Sequence, residues 1–495
     1  MWLNEERQFC VREVELKLDL TEPAADALAA SDVLAAEPEV RQLRAVYHDT
    51  PEHALARAGF SLRIRSAGEE RIQTIKADGE GSAGLFIRSE WEFPVQGDEP
   101  VLDDVTPVKA LLGDRITKLA PQFEVNVERR TWILHHDGAE IEIVLDRGEA
   151  VAGNRHEVIC EAELELKSGE PKALFALARR LDEIAPVRLG VLTKAERGYR
   201  LSEPLRLVFK AVPVVIKREM NAAQAFQHVA QTCLRQYRLN EAVLLGERGH
   251  ETLHQARVAL RRLRSAFSVF KPLVGADERA TALREELRWL AGELGEARNL
   301  DVLLDRAPAG NLHQRIQEAR EHAYVRVESA LGSARVRRMM LDMSEWLTDG
   351  SWLMAADTEE RRLEPARDFA AAALDRFRRK VKKQGRDLET VDDEVRHEVR
   401  KDAKKLRYAS EFFTALFDVK RERRRYKRFI AALEELQDKL GAINDLATAP
   451  ELISKLGLKD DPEAESLLGK GRRKSLITAA GEAHDAFVDA KRFWR

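Results

Sequence analysis

The run EVELKL at Glu13–Leu18 decides how the first part of the chain is read. Charged and apolar residues alternate strictly. On a strand, Glu13, Glu15 and Lys17 share one face, and Val14, Leu16 and Leu18 the other. The same period recurs at Leu62–Arg65, Arg88–Phe93, Glu140–Asp146 and Glu161–Lys167. Turn dipeptides separate the runs: Asp78-Gly79, Asp137-Gly138, Gly153-Asn154 and Ser168-Gly169. Helical spacing is confined to Glu22–Leu34 and Pro171–Ile184. Many short strands with few helices predict an antiparallel sheet or closed barrel over roughly the first 200 residues.

From Lys217 the period changes to 3.6. Ala222–Ala242, His250–Phe270, Arg279–Leu294, Leu312–Ala334 and Asp392–Leu416 are rich in Ala, Leu, Arg and Glu, which are good helix formers. Breaks fall at Leu347–Ser351 and Lys383–Arg386. This half repeats itself. HQARVALRRLR from His254 returns as HEVRKDAKKLR from His397, and LGEARNLD from Leu294 returns as LGAINDLA from Leu440. Two related helical lobes follow. The chain thus divides into a strand domain (1–203), a linker (204–217) and a helical domain (218–495) with lobes of 218–347 and 360–495. The fold class is α+β multidomain, a sheet or barrel followed by an all-α bundle domain.

Composition narrows the function. The 495 residues hold 82 Lys and Arg against 85 Asp and Glu, so any anion-binding surface must come from local sorting of charge. Aromatics are only 6%, which disfavours base-stacking platforms and hence nucleic acid. Cys10, Cys160 and Cys233 show no CxxC spacing, so neither a disulfide scaffold nor a cysteine zinc cluster is expected. No secretory h-region opens the sequence. The apolar stretch at 205–219 is broken by Lys210 and Pro213, so no membrane span and a cytoplasmic location are expected.

Sorting of charge is visible in both halves. His254, Arg257, Arg261 and Arg264 fall within an arc of about 80° on a helix. Leu260, Leu263 and Phe267 lie opposite. His397, Arg400, Lys404 and Arg407 repeat the stripe. An ordinary solvated face explains one such helix. Two copies in one register favour anion binding, because guanidinium binds phosphate oxygens bidentately. His250–His254 also reads HExxH, but the repeat already accounts for His254, and the dense cationic charge after it opposes Zn²⁺. In the strand half, Arg63 and Arg65 share a face, as do Arg88, Glu90 and Glu92, and Glu161, Glu163, Glu165 and Lys167. A sheet wet on one side explains each strand alone. If the sheet closes with these faces inward, the interior is costly without ligands. Mg²⁺ or Mn²⁺ with a polyphosphate matches the charges, since carboxylate oxygens suit hard cations. Alternation alone does not say which face points in.

The ordered set EVELK (Glu13–Lys17), LRIR (Leu62–Arg65), TIK (Thr74–Lys76), RSEWE (Arg88–Glu92), EIEIVLDRG (Glu140–Gly148), EAELELKSG (Glu161–Gly169) and TKAERGY (Thr193–Tyr199) resembles CYTH domains, the triphosphate tunnel metalloenzymes. The helical half resembles a CHAD domain, a histidine-bearing module that binds inorganic polyphosphate. The fusion resembles bacterial inorganic triphosphatases. The resemblance implies an antiparallel tunnel barrel and Mg²⁺- or Mn²⁺-dependent hydrolysis of tripolyphosphate. Glu13, Glu15 and Lys76 are expected at the reacting centre. Glu13, Glu15, Glu163, Glu165 and Asp146 are expected as the metal set. Lys17, Arg63, Arg65, Lys76, Arg88, Arg129 and Lys194 are expected to hold phosphates. Long-chain polyphosphate is expected on the two helical stripes, placing the protein at polyphosphate granules. The alternatives are a nucleoside or thiamine triphosphatase, an adenylate cyclase of the same fold, or a non-enzymatic polyphosphate binder. The dozen residues before ExExK either reflect a misassigned start or cap a tunnel mouth.

Overall fold

In the computed structural model, eight long strands form the barrel of the first unit among the described residues: β1 (Val11–Asp19), β2 (Glu39–Asp49), β3 (Phe60–Ala67), β4 (Glu70–Ala77), β5 (Leu85–Pro94), β6 (Ala120–His136), β7 (Ala139–Ala152) and β8 (Arg155–Ser168); a ninth, two-residue strand, Arg188–Leu189, pairs with β1. The structure describes residues 11–77, 79, 84–104, 106–457, 464 and 472–495. Residues 1–10 of the extension before ExExK, with Cys10, and Asp78 with residues 80–83 lie outside them. The strand order is β5-β4-β3-β2-β6-β7-β8-β1, and β1 also pairs with β5, closing the sheet into an antiparallel barrel. At Asp137-Gly138 both residues take positive φ (48° and 74°), the two-residue hairpin turn that the dipeptide predicts.

Closure puts the charged faces inside. Across the seams Glu13 faces Arg88, Glu15 faces Glu165, Lys17 faces Glu163, and Arg129 faces Asp146. The apolar faces are covered outside. Leu62 and Ile75 pack with Val108 and Leu112 of the short helix Pro107–Leu112. The helix Lys172–Ile184 buries Leu174, Leu177, Ala178 and Leu181. One end of the barrel interior is apolar, with Leu43, Tyr47, Phe123, Val125 and Val127 packed against Ala195, Tyr199 and Leu201 of the helix Lys194–Leu201. Tyr47 stacks on Phe123 at 4.6 Å, and Tyr199 meets Phe123 edge-on at 4.9 Å. Gly198 permits this approach, since a Cβ there would lie 2.0 Å from the Phe123 ring.

The second unit comprises Val208–Ser333 and Gly350–Arg495. Its main helices are Ala222–Leu244, His250–Val269, Glu278–Leu304, Asn311–Gly332, Ala366–Gln384, Asp393–Phe413, Lys420–Lys455 and Arg473–Asp489. Leu260, Leu263, Phe267, Val399, Ala403, Leu406 and Phe413 are buried, so the apolar side of each repeat helix is core. No described helix is long and apolar enough to cross a membrane.

One element departs from the division read from the sequence. The helix Ala334–Asp349, expected to close the first helical lobe, groups with the barrel unit. It buries Met339, Met340, Met343, Trp346 and Leu347. Arg179 of Lys172–Ile184 reaches its Asp342 at 2.7 Å and its Glu345 at 2.6 Å. Arg337 donates to Asp182, itself buried and accepting from Val187 N at 3.1 Å. An amphipathic stripe declares that it needs a partner but not which one. Arg337→Ala leaves Asp182 as a buried charge short of its partner. A thermal melt should show the barrel unit losing about 3 kcal/mol.

Candidate functional site: a charged tunnel and a cationic stripe

The barrel encloses a cavity of about 640 Å³. Glu13, Glu15, Lys17, Arg63, Arg65, Lys76, Arg88, Arg129, Glu163, Glu165 and Lys194 all line it. These are every tunnel residue singled out from the sequence except Asp146, which lies fully buried behind the lining. Among the described residues, eight lysines and arginines and eight glutamates line the cavity.

The charges form two groups. On β1, β4 and β5, Lys76 Nζ lies 2.8 Å from both oxygens of Glu13 and 3.4 Å from Glu90. Arg88 pairs with Glu15 and reaches Glu13 at 3.4 Å. On the other side, Lys194 Nζ lies 2.7 Å from Asp146 and 2.8 Å from Glu163. Lys17 pairs with Glu163 and lies 3.2 Å from Glu161. Arg129 grips Asp146 through two bonds of 2.8 and 2.6 Å. Burial alone would lower the lysine Lys17, but Glu161, Glu163 and Glu15 outweigh it and hold its ammonium above the usual value. Burial would likewise raise Glu163, yet Lys17, Lys194 and Arg129 hold it well below the carboxylate range. Lys194 is the first residue of its helix, a poor place for a cation. Asp146, Glu161 and Glu163 outweigh that and its burial. The helix start is fixed by a capping box between Thr193 and Glu196.

Two regions are less evenly matched. Arg63 Nη1 donates to Tyr47 Oη at 3.4 Å and its Nε is buried without a hydrogen bond, yet Tyr47, Glu90 and Glu92 outweigh its burial and hold it above the usual value. Burial and the charges of Arg63 and Arg129 lower Arg65, with Glu92 at 3.4 Å opposing them. The opposite condition holds at Glu165. Burial raises its carboxyl, and Glu13 and Glu142 raise it further against Lys167. Crowded carboxylates with one lysine fit a hard divalent cation. The tighter cluster of Asp146, Glu161 and Glu163 brings three carboxylate oxygens within 4.8 Å. There the ammonium groups of Lys17 and Lys194 already stand where a cation would. Among the predicted metal residues, Glu13, Glu15, Glu163 and Glu165 therefore face the cavity, while Asp146 holds Arg129 and Lys194.

In the helical unit the two basic stripes converge. Arg261 Nε donates to Tyr408 Oη at 2.7 Å, joining His250–Val269 to Asp393–Phe413. His254 is lowered by burial and by Arg298. His397, exposed, meets Asn444 at 2.7 Å, the counterpart of Arg298 in the repeat. Burial and the charges of Arg261 and Arg298 lower Arg257 to about 10. Lys404 is lowered to about 7 by burial and by Arg261, Arg400 and Arg407, against Asp445. Arg264 is exposed beside Arg284 and Arg288, and Arg407 pairs with Glu411.

Residues 11–199 match the CYTH domain family and residues 228–454 the CHAD domain family. The chain joins a CYTH domain to a CHAD domain. An inorganic triphosphatase of Haemophilus influenzae is 30% identical over 202 residues, 39% of this chain and 55% of that protein, so the match spans about half that relative's length. An uncharacterized protein of Mycobacterium tuberculosis is 27% identical over 445 residues, 80% of this chain and 82% of that protein. The crystal structure of the CHAD domain from the plant Ricinus communis is 28% identical, with a TM-score of 0.48, covering 58% of this chain and 97% of that one.

Sequence reasoning left several CYTH-domain residues without a role. Glu161 is 1% exposed and anchors both Lys17 and Lys194. Its signal was its place in the Glu161–Lys167 alternation. Arg197 lies beneath, bonding Asp19 and Glu157 at 2.7 Å each. Nothing in the TKAERGY run separates it from a surface arginine.

In the CHAD domain the Lys404 shift has a definite sign. Its folded value lies below its unfolded value of 10.5, so the unfolded chain binds the extra proton between pH 7 and 10.5. The stability it contributes is present above 10.5 and is lost as pH falls toward 7. Lys404→Met should raise stability on the order of 1 kcal/mol at pH 7. Denaturant melts across pH 6–10 should show that gain shrinking toward pH 10.

Proposed function

We propose that the CYTH domain hydrolyses inorganic tripolyphosphate to pyrophosphate and phosphate in a Mg²⁺- or Mn²⁺-dependent reaction, and that the CHAD domain binds long-chain polyphosphate. One observation carries the first part. Among the described residues, equal numbers of cationic and glutamate side chains line the cavity, so a highly anionic guest is balanced only if it arrives with cations of its own. The CYTH family is metal-dependent. Glu13, Glu15, Glu163 and Glu165 are the residues that would hold the metal. When bound, it supplies charge neutralisation on phosphate oxygens and a more acidic water.

The chain's own residues do the rest. Arg63 and Arg65, which share the inward face of β3, bind the end of the phosphate chain. Lys76 and Arg88, tethered to Glu13 and Glu15, stand where charge develops as the anhydride bond breaks. Asp146 and Glu161 keep Lys17, Lys194 and Arg129 charged and aimed inward. The helix Lys194–Leu201 fills the apolar end and restricts water. Supporting a base-free substrate, the aromatic rings of that end, Tyr47, Phe123 and Tyr199, pack on one another. For the CHAD domain, mutual repulsion within the stripe supports the reading. Cations crowded until Lys404 falls to about 7 are relieved by a polyanion.

Phosphate release from tripolyphosphate should exceed that from ATP and stop in EDTA. Glu13→Ala, Glu15→Ala and Lys76→Ala should each lower kcat about a hundredfold or more. ATP as the better substrate would favour the nucleotide reading, and no turnover of either would favour a binding protein. Separately, Lys404→Met should weaken polyphosphate binding while stabilising the fold, and wild-type affinity should fall as pH rises through 7 to 9, because binding takes up the Lys404 proton.

A further inference from the structure

We infer that Gly295 is a positioning residue of the CHAD domain's anion stripe: it leaves the space in which the guanidinium of Arg257 lies. This rests on the polyphosphate reading above. Gly295 sits inside the helix Glu278–Leu304, where glycine weakens a helix relative to alanine. Its backbone is not among those with positive φ, so conformation does not demand it. Space does. A Cβ on Gly295 would lie 2.7 Å from Arg257 Nη1 and 3.7 Å from its Cζ. The same Nη1 donates to the carbonyl of Ala291 at 3.0 Å, one turn earlier. The guanidinium is thus laid along the Ala291–Gly295 turn and anchored to a carbonyl. That anchor matters because the groups facing Arg257 are Arg261, Arg264 and Arg298, all of like charge.

Two glycines in the same domain grade the effect. Gly441 holds the corresponding place in the second copy of the repeat. A Cβ there would meet Arg400 at 3.8 Å, an ordinary contact. Gly292, three residues before Gly295, would meet nothing within 4 Å. The atom displaced by a methyl group at Gly295 is the end of a long flexible side chain, so the arginine moves and the helix stays. The fold survives while the stripe loses its aim.

The test uses the full-length chain, long-chain inorganic polyphosphate and thermal melts. Gly292→Ala and Gly441→Ala should bind as the wild type does. Gly295→Ala should bind about tenfold more weakly with a melting temperature unchanged or raised. In the double variant with Arg257→Ala, it should add nothing to the loss caused by Arg257→Ala alone. Wild-type binding by Gly295→Ala, a loss additive to Arg257→Ala, or a loss tracking a lower melting temperature would each overturn the inference. A wild-type chain that binds no polyphosphate overturns the underlying reading and the inference with it, a result distinct from binding that Gly295→Ala leaves intact.

Discussion

Charge enclosed by a closed sheet is the constraint on which the tunnel depends. β1, β3, β4, β5, β7 and β8 turn charged faces inward, and desolvation makes each buried ion costly unless it is matched. The match is local: Glu13 with Lys76, Glu15 with Arg88, Glu163 with Lys17 and Lys194, and Asp146 with Arg129. Where the matching stops, the site opens. Arg65 is held below its usual value by burial and by its neighbour Arg63, and Glu165 is crowded by Glu13 and Glu142. Those two departures lie within one cavity.

The CHAD domain solves the opposite problem. Its cations lie on packed helices where solvent still reaches several of them, and they are left largely to repel each other. The depressed Lys404 and Arg257 are the cost of holding such a stripe in the absence of an anion. Arg261, bonded to Tyr408, makes the two repeat copies one surface. The tunnel holds its cations against carboxylates, whereas the cations of the stripe face mainly one another.

Much of this was legible in residue order. Alternation at Glu13–Leu18 and Glu161–Lys167 placed the right residues on one face, and the repeat placed His254 beside Arg257 and His397 beside Arg400. Which face points inward was not legible, because a period of two is symmetric between faces; resemblance supplied it. β2 escaped notice because its first four residues are exposed on both faces, so no alternation shows there. Asp146 could be read only as a carboxylate in the right strand; its bonds to Arg129 and Lys194 depend on barrel closure. The helix Ala334–Asp349 carries a clear apolar stripe, but its partner lies more than a hundred residues earlier in Lys172–Ile184, a distance that periodicity does not span.

The central claim is that the tunnel accepts its anion only together with a divalent cation. The most direct measurement is a calorimetric titration of the full-length protein with a non-hydrolysable imido analogue of tripolyphosphate, in EDTA and then with Mg²⁺ or Mn²⁺. The account predicts affinity at least about tenfold higher with the metal, and loss of that gain in Glu165→Gln. Equal affinity in EDTA and in metal would contradict it, because the lining cations alone would then suffice to hold the chain.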